Sequence, residues 1–193
     1  MRRITICMTL SVALVCPALA HTGLQQSNSL AAGIAHPLSG ADHILAMVAV
    51  GLWGAIAGGR ALWVWPLAFV ATMLAGFAAA TLGLQIPLVE PAIAASIIIL
   101  GLSIALALRA PIWLGAVMAG LFAFFHGHAH GTESTMVSVI PYAAGFALAT
   151  AGLHAAGVGA GLLAASSLGK FAVRALGGGI ALWGTAAMTG GLT

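Results

Sequence analysis

Two short stretches hold most of the side chains in this chain that can grip a metal ion. FHGHAHGTE, read from Phe125, places His126, His128, His130 and Glu133 within eight residues at the end of an apolar run. HPLSGADH adds His36, Asp42 and His43. The whole chain has seven histidines and three acidic residues, so these stretches take five of the first and two of the second. Imidazole with carboxylate is a borderline-to-hard ligand set that suits Ni²⁺, Co²⁺ or Zn²⁺ and argues against Cu(I), which prefers thiolate and thioether. Spacing alone leaves nickel, cobalt and zinc open.

The spacings say how each stretch would act. His126 and His130 are four residues apart and share one face of a helix, so both reach one ion. His128 turns away from that face and joins only if the helix frays at Gly127 and Gly131. A helix C-terminus is partly negative and favours a cation, and Glu133 lies just beyond it. His36 and His43 are seven residues apart, about 10.5 Å along a straight helix, too far for one ion. Pro37 and the Ser39-Gly40 pair offer a break, since proline removes a backbone hydrogen bond and clashes with the preceding turn. A helix broken there would bring His36, Asp42 and His43 together, as broken helices at membrane depth commonly do at ion sites. Otherwise the two histidines are successive stations along a path.

Asp42 stands inside an apolar run, where a carboxylate is costly and marks an ion pathway. Met47, four residues after His43, reads as packing. His154 reads as a core histidine, with an inner station as the alternative. Glu90 reads either as an outer attraction point for cations or as an interfacial charge.

The elements that must position these residues follow from composition. Hydrophobic residues make up 62% of the 193 and charged residues 5%, and the mean hydropathy is +1.13. A soluble domain carries about 25% charged residues, so the chain is read as an all-α integral membrane protein. Its net charge of +3 comes from scattered cations without a basic run, which excludes a nucleic-acid partner. Apolar runs near the roughly 20 residues needed to span a bilayer predict six transmembrane helices, at about 28–57, 61–84, 89–108, 111–131, 136–167 and 171–189. With an exported N-terminus, Arg60, Arg109, Lys170 and Arg174 all fall in inner loops, as the positive-inside rule requires. Both ends of the mature chain are then periplasmic.

Residues 1–20 read as a cleaved signal peptide: Arg2 and Arg3, an apolar stretch at 4–15, and Ala18-Leu19-Ala20 as the cleavage site. Residues 21–193 then form a single six-helix domain. Cleavage removes Cys7 and Cys16, leaving no disulfide or thiolate site. It also exposes His21, whose α-amine and imidazole form a chelating pair. Gly54/Gly58, Gly127/Gly131 and Gly157/Gly161 have the GxxxG spacing of close helix packing. Trp53, Trp63 and Trp65 read as an interfacial aromatic belt. No phosphate-binding loop of an ATPase is present. A homo-oligomer is compatible with the sequence.

HTG at His21–Gly23, HPLSGADHILAMVAVGLWG from His36 and FHGHAHGTE together resemble the HupE/UreJ family of bacterial membrane proteins, over essentially the whole mature chain. The resemblance implies uptake of nickel, in some members cobalt, and a functional link to nickel enzymes such as hydrogenase or urease. It implies metal handling by His36, Asp42, His43, His126, His130 and Glu133, with His21 at the mature start. The first motif is also chemically like the H-x4-DH signature of nickel/cobalt permeases, although five residues separate His36 from Asp42 here. The expected activity is an inner-membrane permease moving Ni²⁺ or Co²⁺ from periplasm to cytoplasm, with the ion as substrate and no cofactor. An intramembrane zinc-dependent hydrolase, with three histidines and an open fourth position, and a metal sensor or chaperone without flux are the alternatives.

Overall fold

A computed structural model describes residues 29–133 and 139–190, and among them the chain is helical with no strand. The helices are α1 (Leu30–Ala35), α2 (Ala41–Ala57), α3 (Ala61–Thr81), α4 (Val89–Ala105), α5 (Ile112–Glu133), α6 (Val139–Leu163) and α7 (Ser167–Met188). A single 3-10 turn, His36–Leu38, separates α1 from α2. The segment read as a signal peptide and His21 lie outside the described residues.

The expected first span is therefore two helices bent by 85°. Pro37 enters the 3-10 turn, Ser39 N–H and Oγ–H both donate to the His36 carbonyl (3.0 and 2.6 Å), and extended Gly40 opens α2. Four helices (α3, α5, α6 and α7) are long and apolar enough to cross a bilayer, and the bent pair makes a fifth. Helix α4 is apolar but has 17 residues, about 26 Å at 1.5 Å per residue against a hydrocarbon core of about 30 Å. The six segments expected from the sequence all appear in order; the length criterion is met by up to five.

The outward faces are apolar. Ile140, Leu163, Leu182 and Trp113 are among the exposed large side chains, the reverse of a water-facing helix, whose outer stripe is polar. This fits a lipid-facing surface. The interior is one cluster drawn from α2 through α7, including Met47, Trp53, Trp65, Phe69, Ile97, Ala123 and Phe146. Small residues let backbones meet. A Cβ on Gly127 would land on the Met73 carbonyl and one on Gly131 would crowd the Phe77 carbonyl, so α3 and α5 lie against each other there. Gly157 does the same for α6 against the Val48 carbonyl of α2. The third pair differs: Gly58 ends α2 at φ 73°, a conformation that favours glycine, and a Cβ there would meet no neighbouring helix.

The aromatic-belt expectation is corrected in two of its three members. Trp53 and Trp65 are buried against each other, with centroids 4.2 Å apart. Their indole N–H groups donate to the carbonyls of Leu108 and Ile112, both at 2.9 Å. A tryptophan whose N–H finds an internal acceptor has no need of the interface. Trp63 alone is exposed, with Arg60 over its ring at 5.6 Å.

These contacts sort the charges. Trp53 ties the end of α2 to the α4–α5 connection, and Arg174 Nε–H donates to the Ala105 carbonyl at 2.8 Å. Arg60, Arg109 and Arg174 thus share one end of the bundle. Asp42 and Glu90 line a common cavity with Met188 at the other end.

Candidate metal site at the broken helix

The break in the first span decides the site. In a straight helix His36 and His43 would be about 10.5 Å apart; here both reach the same imidazole. The His36 and His130 ring centroids are 4.5 Å apart, and those of His43 and His130 4.1 Å. His43 also meets His126 edge-on at 4.9 Å. Helix α5 supplies the second half because His126 and His130 lie one turn apart on one face. Phe146 of α6 closes the back against His130 at 4.4 Å, and Tyr142 lies 5.9 Å from His36. His43, His126 and His130 are buried.

Hydrogen bonds outside the cluster assign the protons. Asp42 Oδ1 lies 3.0 Å from His43 Nδ1. A carboxylate only accepts, so Nδ1–H donates and Nε2 of the neutral ring keeps its lone pair. The Ser96 hydroxyl gives its one proton to the Ile93 carbonyl at 2.6 Å. It must therefore accept from His126 Nε2–H at 3.0 Å, leaving Nδ1 as the lone-pair nitrogen. Neither His43 Nε2 nor His126 Nδ1 has a hydrogen-bond partner among the described residues. Fixing one ring nitrogen so that the other presents a lone pair is what second-shell partners do for metal-binding histidines.

Asp42 is partly open, and its place in the first turn of α2 suits a carboxylate. A Cβ on Gly40 would stand 2.6 Å from Asp42 Oδ1 and 3.2 Å from His43 Nδ1, so glycine leaves room for that pair. Asp42 and Glu90 line a cavity of about 380 Å³ with Ile97 and Trp183.

Not every candidate joins. Helix α5 stays intact through Gly127 and Gly131, so His128 points away, and its Nε2–H donates to the Leu84 carbonyl at 2.7 Å. It lines a separate cavity of about 460 Å³ under the α3–α4 connection. Glu133 is the last residue of α5. His154 is buried one turn further along the α2 seam, donating from Nδ1 to the Met47 carbonyl at 2.9 Å. Met47 lies in the core cluster, in line with its reading as packing. Among the described residues, no group of three or more His, Cys, Asp or Glu side chains is set to hold an ion. The imidazoles pack ring against ring instead of converging on a point. Ser96 escaped the sequence reading; a serine in the apolar run ASIIILGLS was its only signal.

Comparison with known proteins agrees with the motifs. The family model described as HupE / UreJ protein matches residues 8–187. Protein HupE of Rhizobium leguminosarum bv. viciae is 43% identical over 185 residues, covering 94% of this chain and 96% of the relative. No solved structure matches. With its apolar helices and its two histidine stretches in one matched run, the chain belongs to the HupE/UreJ family of membrane proteins, associated with nickel and cobalt transport.

Proposed function

We propose that the protein is an inner-membrane permease that carries Ni²⁺, or Co²⁺, from periplasm to cytoplasm in six spans after a cleaved signal peptide. The observation that carries this reading is the 85° break, which sets His36 and His43 against His130 at the end of the bundle away from the arginines. The arginine end is cytoplasmic by the positive-inside rule, so the histidine end faces the source of metal.

Asp42 and Glu90, on their shared cavity, attract the cation, with Glu133 and His21 collecting at the outer surface. The imidazoles of His36, His43, His126 and His130 then replace water around the ion. Rings packed edge to face must part to admit it, so the shell is formed and dissolved with each passage. Conduction needs sites weak enough to release. Asp42 acts through His43 as well as by its charge, raising the basicity of the ring.

Uptake into proteoliposomes of nickel, cobalt and zinc, each alone, tests this. Saturable nickel or cobalt flux, lost in Asp42→Asn and in His126→Ala/His130→Ala, is expected. Tight zinc binding without flux of any ion would overturn the permease and turn attention to a hydrolase or a sensor.

A further inference from the structure

We infer that His154, Thr150 and Met73 form a second, inner station for the same class of ion, a divalent transition metal. The identity of the ion rests on the permease reading; the site itself rests on geometry.

Helices α3 and α6 face each other along stripes with four-residue spacing, Phe69 and Met73 on one and Phe146, Thr150 and His154 on the other. Thr150 Oγ1–H donates to Met73 Sδ at 3.6 Å, and His154 meets Phe69 edge-on at 4.9 Å. The stripe begins at the first cluster, because Phe146 packs on His130 at 4.4 Å and Phe69 lies 5.9 Å from His126. Phe69 therefore has a cluster histidine on one side and His154 on the other. From Phe146 to His154 the α6 axis rises about 12 Å, placing the station further from the entrance.

His154 has the state a ligand needs. It is 1% exposed. Nδ1–H is held by the Met47 carbonyl, and Nε2 is buried with no hydrogen-bond partner among the described residues. His154 shares this half-used state with His43, His126 and His128, and what singles it out is the Thr150 hydroxyl and Met73 thioether beside it on the α3–α6 seam. The Thr150 hydroxyl retains lone pairs after donating to sulfur, and the Met73 thioether is a soft donor. Imidazole with hydroxyl and thioether is an incomplete shell of borderline character that suits nickel or cobalt. An ion leaving the first cluster in this direction meets the apolar side chains of the core and needs such a donor to move on.

The test is equilibrium binding of radiolabelled Ni²⁺ to the full chain in lipid nanodiscs, with uptake measured on the same preparations. In His154→Asn an amide N–H takes the place of Nδ1–H on the Met47 carbonyl while the Nε2 lone pair is lost, so folding is kept; His154→Ala is the harsher control. His154→Asn is expected to bind one ion fewer per chain than the unaltered protein and to lose about ten-fold or more in uptake. Asp42→Asn is expected to keep the ion that depends on His154. Unchanged stoichiometry in His154→Asn overturns the station, as does unchanged uptake where the unaltered protein transports metal. If the stoichiometry changes as expected but no preparation moves metal, the station stands and the permease falls. If Asp42→Asn abolishes uptake while His154→Asn matches the unaltered protein, the permease stands and the station falls.

Discussion

The two ends of the bundle treat buried polar groups in opposite ways. At the arginine end the buried indole N–H groups are used up: Trp53 and Trp65 give them to the carbonyls of Leu108 and Ile112. At the histidine end His43 and His126 each hold one ring nitrogen through Asp42 or Ser96 and leave the other without a partner among the described residues. A satisfied network rigidifies; a half-satisfied one is costly. The first end therefore acts as a clasp, and the second is the surface at which we propose that the ion binds. His128, on the same helix, also holds one nitrogen, through the Leu84 carbonyl, and leaves Nδ1 without a partner among the described residues; it lines a separate cavity away from the imidazole cluster, so an open nitrogen alone does not make the difference.

The comparison breaks most severely if both helix-face ligands can be removed without effect. His126→Ala/His130→Ala is expected to reduce nickel uptake to that of protein-free vesicles, measured as initial rate. Next is Asp42→Asn, which keeps shape but weakens the hold on His43 Nδ1. Loss of a second-shell partner costs about 10–100-fold in metal affinity, and isothermal titration in detergent reads it. Uptake should also fall as external pH drops, because a proton on an imidazole occupies the lone pair that the metal uses. The sign follows from that competition for one lone pair. Rates that rise on acidification would sink the imidazole shell.

Smaller effects sharpen the contrast. Trp65→Phe removes the indole N–H that the Ile112 carbonyl accepts, at about 0.5–1.5 kcal/mol, visible as a lower thermal midpoint with metal affinity unchanged. Gly40→Ala should act the other way, with little change in midpoint but a several-fold weaker half-saturation, as the new methyl displaces Asp42 Oδ1. Equal effects of both substitutions on affinity would erase the distinction between the ends.

Much of this was open to sequence reasoning because local rules govern it. Apolar runs gave the helical segments, four-residue spacing placed His126 and His130 together, and Pro37 with Ser39-Gly40 marked the break. The roles of Trp53 and Trp65 were not visible, because a tryptophan at a span's end looks the same whether it faces lipid or a carbonyl more than forty residues away. Ser96 was hidden for the same reason: its partner is thirty residues distant.

What the sequence determined by itself is chemistry and helical phase: which side chains are metal-capable, which share a face, where backbone bonding must fail, and that a greasy exterior needs lipid. The tertiary structure decided register between helices. It set α2 beside α5 so that His43 meets His126 and His130, turned His128 toward Leu84, and laid α6 on α3 so that His154 follows Phe69. Helical phase follows from 3.6 residues per turn, whereas register depends on where small residues let backbones approach across the whole bundle.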